Sequence, residues 1–136
     1  MHVLIRRYTA TPEVVTEAQP KLQSLEQVMR SLPGFVDRTR AIYPSLDQLT
    51  PARRTALVSL VYNRGARLAD RDPALEERRE MREIARLLAS GTTDGVADQL
   101  EAMTRLWDAQ KQGGLVRRRL EEATLWRTGF VDLKLD

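Results

Sequence analysis

The chain has 136 residues, 42% of them hydrophobic and 30% charged, the composition of one globular domain with a single core rather than of a disordered chain. It contains no cysteine, which excludes disulfides and thiolate chemistry and leaves the redox compartment open. The formal charge is +3, and all but three of its 22 cationic side chains (Lys21, Lys111 and Lys134) are Arg, an excess that suits a polyanionic partner such as nucleic acid, a membrane surface or the bacterial cell wall.

In chain order, the first ten residues read as a strand or an irregular arm. The apolar run in MHVLIRR is too short for a signal peptide, and no later stretch is long enough to span a bilayer, so action outside the cytoplasm would need another domain or route. Thr11-Pro12 predicts a short helix through Val14, Val15 and Ala18 that Pro20 ends or kinks. A second helix from Pro20 places Leu22, Leu25, Val28, Met29 and Leu32 on one face and closes at Pro33-Gly34. Phe35 to Tyr43 predicts another short helix, with Phe35, Thr39 and Ile42 aligned and Pro44 stopping it. The loop Ser45-Leu46-Asp47-Gln48 follows.

Leu49 to Gly65, LTPARRTALVSLVYNRG, is the stretch around which the rest is organised. Thr50 supplies a hydroxyl cap, and Pro51 stands where a missing N–H costs nothing. Ala52, Ala56, Leu57, Leu60 and Val61 then form an apolar face of helical period. Asn63-Arg64-Gly65 stops the helix, because Gly accepts the left-handed conformation found at helix ends. An amide, a guanidinium and an accessible backbone thus meet at one corner. On spacing alone, an ordinary C-cap explains the same residues.

After Gly65 a polar connection, ARLADRD, leads to a helix predicted to start at Pro73, with Leu75, Met81, Ile84, Leu87 and Leu88 inward and Ser90-Gly91 at its end. Thr93-Asp94 opens the next, with Val96, Leu100, Met103, Leu106 and Trp107 at helical spacing, broken by Gly113-Gly114. Leu115 begins a last helix whose inward residues are Val116, Leu120, Ala123 and either Leu125 or Trp126, stopping at Thr128-Gly129. The tail FVDLKLD alternates apolar and polar residues over too short a run to assign. No repeat or linker intervenes, so the expected architecture is all-α: one helical domain over 1–136.

Few residue patterns in the chain carry chemistry. The arginine pairs sit mostly among Glu and Asp, as in RDPALEERREMREIAR, and read as ion-paired helix surfaces; no recognition helix, RNA-binding signature or zinc spacing accompanies them. His2 stands beside the initial Met as a terminal residue rather than a base. With one His and no Cys, no metal site is expected, and no nucleotide fingerprint or nucleophile elbow suggests a cofactor. Glu76, Glu77, Glu80 and Glu83 lie on the Arg-rich helix, and Glu121-Glu122 follow three Arg, so ion pairing explains them more simply than acid–base work.

From about Ser45 to Asp136 the chain resembles the C-terminal lobe of phage-type lysozymes, glycoside hydrolase family 24. The resemblance rests on SLDQLTPARRTALVSLVYNRG, RREMREI, LEAMTRLWDAQKQGGLVRRRLEEATLW and the ending RTGFVDLKLD, in the family's order. On this likeness, 1–44 is an N-terminal arm with connecting helices and 45–136 the lysozyme-like lobe. The resemblance implies a muramidase acting on peptidoglycan at the periplasm or cell wall, in a cleft between two lobes. The family's catalytic Glu, with its following Asp and Thr near a T-x-G-x-G segment, has no counterpart here. Glu13, Glu17, Glu26 and Asp37 lack those intervals.

By position in the family, the corner implies substrate binding by Asn63 with Tyr62, Arg64 and Gly65 beside it: an amide to pair with a peptide unit, a guanidinium to meet a peptide carboxylate. Trp107, Arg118, Arg119 and Glu122 match family positions that hold the lobe together. Three readings follow. The first is a substrate-binding lobe without its own catalytic residue, its catalytic lobe lying on a second polypeptide or a separate part of the protein. The second is a non-catalytic wall-binding or regulatory module. The third is an unrelated helical interaction or nucleic-acid-binding protein, with salt-sensitive DNA binding as its signature.

Overall fold

The computed structural model describes residues 2–5, 33–129 and 131–134. A strand, β1 (His2–Ile5), precedes five α-helices: α1 (Pro33–Ile42), α2 (Pro51–Arg64), α3 (Arg79–Ala89), α4 (Val96–Ala102) and α5 (Gly113–Thr128). A second strand, β2 (Val131–Lys134), follows, and 3-10 turns occupy Leu46–Gln48 and Met103–Leu106. The body is all-α, as its periodicity predicts. The two helices expected between Thr11 and Pro33 lie outside the described residues. The arm is a strand at its start, and the unassigned tail supplies its partner: β1 and β2 pair antiparallel, His2 opposite Lys134 and Ile5 opposite Val131.

Helix α2 forms as its residues dictate. Thr50 Oγ1 accepts the Arg53 backbone N–H at 3.3 Å, and Pro51 is the first helical residue. Ala52, Ala56, Leu57, Leu60 and Val61 are all buried, joined by Thr55 and Val58. α2 packs against α1 on one side and α5 on the other, while α4 bridges α3 and α5. Leu57, Leu60, Ile84 and Leu100 have no exposed surface. Each contributes roughly 1.5–3 kcal/mol relative to an exposed position. Tyr43 is equally enclosed, and its hydroxyl donates to the Met81 carbonyl at 3.1 Å. Burial pushes its phenol well above the ordinary range.

α1 begins at Pro33, two residues before the Phe35 start expected, and four later boundaries differ from the periodicity, each for a local reason. The helix expected from Pro73 starts only at Arg79, after a run of turns. Glu76 takes φ +47° there, and Asp70 Oδ1 accepts the Arg78 backbone N–H at 2.8 Å, so the segment is fixed by side chains and Leu75 stays exposed. α4 starts at Val96, after Gly95 at φ +87°, rather than at Thr93-Asp94. It tightens into the 3-10 turn and ends at the extended residue Trp107, so Gly113-Gly114 do not break it but begin α5. On α5, Leu120 is exposed, Val116 is half-buried, and Arg119 and Glu122 are buried beside Ala123, Leu125 and Trp126. Trp126 is thus the enclosed tryptophan, and Trp107 only packs against the core's edge. No helix among the described residues is long and apolar enough to cross a membrane.

Candidate functional site

The corner expected from Asn63-Arg64-Gly65 exists, at the C-terminal end of α2. Gly65 has φ +85° and ψ 163°, so the helix stops not in the left-handed helical region but in an extended conformation that is essentially reserved for glycine. A Cβ there would meet nothing within 4 Å, so the requirement is one of backbone conformation, not space. Tyr62 and Asn63 are both exposed. The Tyr62 ring meets Phe35 of α1 edge to face, with centroids 5.2 Å apart. Spacing does not reveal the Phe35–Tyr62 pair, because it assigns Phe35 only to the inward stripe of its own helix.

Behind Asn63 lies a clasp between α2 and α5. Arg119 is fully buried and forms a fork with Glu122, Nε to Oε1 at 2.6 Å and Nη2 to Oε2 at 2.7 Å. Its Nη1 donates to Asn63 Oδ1 at 3.0 Å. Ser59, one turn before Asn63, donates to Glu122 Oε2 at 2.5 Å and accepts from Arg118 Nη1 at 3.3 Å. These bonds link Arg118, Ser59, Glu122, Arg119 and Asn63, with Glu122 accepting from both sides and Arg119 donating to both. Burial pushes the Glu122 carboxyl above the usual carboxylate range against the pull of Arg119 and Ser59. The family resemblance implies that Arg118, Arg119 and Glu122 hold the lobe together; Ser59 carries no signal of its own in the sequence.

Arg64 and Gly65 face a loop held by arginines. Arg78 donates to the Arg64 carbonyl at 2.6 Å and to the Gly65 carbonyl at 3.3 Å, closing the end of α2 with a cation where the helix dipole is negative. The Arg64 guanidinium donates to the Glu77 carbonyl at 2.9 Å and lies over the Trp107 ring. Its Nε is buried with no hydrogen-bond partner among the described residues. Burial, then repulsion from Arg78 and Arg119, lowers its pKa to about 10. Of the four corner residues, Tyr62 and Asn63 thus turn to the surface together, while Arg64 is drawn toward the loop.

The acidic residues are engaged as the charge pattern predicts. Every glutamate within residues 33–129 has an arginine partner: Glu76 and Glu80 with Arg79, Glu77 with Arg67, Glu83 with Arg86, Glu101 with Arg127, Glu121 with Arg117 and Glu122 with Arg119. Glu80 is buried and also takes Arg105 on both carboxylate oxygens, at 2.7 and 3.0 Å. Among the described residues, no three acidic or histidine side chains gather as a metal site would require.

A family model described as Phage lysozyme matches residues 8–122, beginning well before the corner and ending at the buried Glu122. No curated protein and no solved structure matches the chain.

Proposed function

The chain belongs to the phage lysozyme family, and from that premise we propose that it is the substrate-binding lobe of a peptidoglycan-directed muramidase. In this reading the proton donor comes from a second polypeptide or a separate part of the protein. The family acts on peptidoglycan. What carries the reading is the corner: an exposed aromatic ring and an exposed amide, side by side at the end of a buried helix and braced from behind by charged hydrogen bonds. Tyr62 offers a face to a sugar or peptide, and Asn63 offers an amide to a peptide unit. Arg64 and Gly65 shape the corner, Arg64 by its stack on Trp107 and Gly65 by its backbone turn.

Glycoside cleavage needs a carboxylic acid on the leaving oxygen and a second group across the substrate. Glu122 has a raised pKa, as a general acid should, but its oxygens are taken by Arg119 and Ser59 and it is 3% exposed. A proton held there cannot reach a glycosidic oxygen. The other glutamates of the helical body are each ion-paired with an arginine. This supports a lobe that binds without cutting.

Sedimentation with insoluble peptidoglycan tests the proposal, alongside release of reducing ends from the same material. The chain is expected to pellet with the wall and to release no reducing ends above buffer at any pH. Failure to pellet would overturn the binding role. Cleavage abolished by changing Glu13, Glu17 or Glu26 would instead place a catalytic acid in the N-terminal third.

A further inference from the structure

We infer that Arg119 is a positioning residue for the corner: it holds the Asn63 amide with its NH2 group outward, so that the corner recognises a carbonyl oxygen of the wall. The inference rests on the binding role proposed above and specifies the chemistry of that contact. An asparagine amide can present either its oxygen or its nitrogen to a ligand, and its neighbours decide which. Here the neighbour is a guanidinium, which donates and never accepts. Arg119 Nη1 lies 3.0 Å from Asn63 Oδ1, and the flipped amide would set donor against donor. Arg119 cannot turn away, because its Nε and Nη2 are fixed on Glu122 and the side chain has no exposed surface.

Asn63 Nδ2 has no hydrogen-bond partner among the described residues, and Asn63 itself is exposed. Its two N–H groups are therefore left to a ligand at the exposed end of α2. Holding the amide in advance removes the rotamer cost that a free surface asparagine would incur on binding. The acceptor that fits is an amide carbonyl, which peptidoglycan supplies both in its stem peptides and in the acetamido groups of its sugars.

The test uses Asn63→Asp and Asn63→Ala in the full chain, with thermal melting and sedimentation on intact sacculi. Aspartate keeps an acceptor toward Arg119 but replaces the outward donor with a second acceptor. Asn63→Asp is expected to melt at or above the temperature of the unaltered chain, while Asn63→Ala melts lower. Both are expected to weaken wall binding roughly threefold to tenfold. The Asp loss should persist at about 0.5 M salt, where simple charge repulsion is screened. An Asp variant that binds as well as the unaltered chain, or melts as low as the Ala variant, would overturn the orientation.

Melting reads the orientation without the wall, so absence of binding by the unaltered chain would overturn the proposed function and leave the amide's orientation standing. A second comparison isolates Arg119. If it acts through Asn63, Arg119→Lys weakens binding in the unaltered chain but adds no further loss in Asn63→Ala. Equal loss in both backgrounds would make Arg119 merely structural and overturn the inference. Amidase-stripped glycan strands separate the two carbonyl sources. Asn63-dependent binding that survives stripping assigns the acetamido group, and binding lost with the peptides assigns the stem. Binding to either substrate that ignores Asn63 would overturn the inference.

Discussion

The Arg64 guanidinium lies 5.0 Å from the centroid of the Trp107 ring, so the residue after the exposed amide is anchored on an aromatic face rather than extended into solvent. Such a contact contributes about 0.5–2 kcal/mol depending on its desolvation. Trp107 is only half-buried, whereas Trp126 is 4% exposed and sits within the core. In urea titrations Trp126→Ala is expected to cost about 3–5 kcal/mol. Trp107→Ala should cost roughly 1–2 kcal/mol, the stack plus a modest area of lost burial. An equal loss for the two would show that Trp107 is a core residue.

Glu122 is the only carboxylate facing the buried Arg119 fork among the described residues. Replacing it with glutamine removes the charge and turns a donor toward a donor. Glu122→Gln is therefore expected to destabilise the fold by about 3–5 kcal/mol, the usual consequence of leaving one member of a buried pair uncompensated. Chemical denaturation at neutral pH measures it. A loss below about 1 kcal/mol would mean that water reaches the pair.

These two predictions also mark where the residues alone were informative. Leu57, Leu60 and Ile84 fell inside because an aliphatic stripe of helical period has one place to go. Thr50 and Pro51 set the start of α2 by purely local chemistry. Leu75 and Leu120 broke the pattern because tertiary partners overrode it: a loop pinned through its carbonyls carries Leu75 outward, and Arg119 with Glu122 takes the inward positions on α5. A buried ion pair is invisible to hydrophobic periodicity. The corner could be located from Asn63-Arg64-Gly65, but the direction of the Asn63 amide could not, since it depends on a guanidinium 56 residues away.

Gly65 offers a backbone test. At φ +85° and ψ 163°, any Cβ is strained whatever the surrounding space. Gly65→Ala is expected to lower stability by roughly 1–3 kcal/mol. Thermal melting reports the change directly. A neutral result would mean that the chain leaves α2 by a different turn.

Asp70 predicts a pH dependence. Its hydrogen bond from Arg82, then that from the Arg78 backbone N–H, holds its carboxyl below the usual aspartate range. A depressed folded pKa means that the unfolded chain binds the proton first, so the stabilisation is complete above the ordinary value of roughly 3.9 and disappears as pH falls through the lower folded one. Asp70→Asn should therefore melt below the unaltered chain at pH 7, with the two curves converging in acid. A gap that stays constant down to about pH 2 would show that the carboxylate charge contributes nothing there.

The arginines around the loop after α2 carry a consequence for how this chain can be altered. Arg78, Arg82 and Arg105 donate to main-chain carbonyls at Arg64, Gly65, Leu68, Leu75 and Glu76. Lysine in their places would leave the isoelectric character and the attraction to polyanions nearly intact, yet a single ammonium lacks the planar fork that spans two oxygens. Solubility engineering by charge-preserving exchange, harmless on most surfaces, would here unfasten the polypeptide from within.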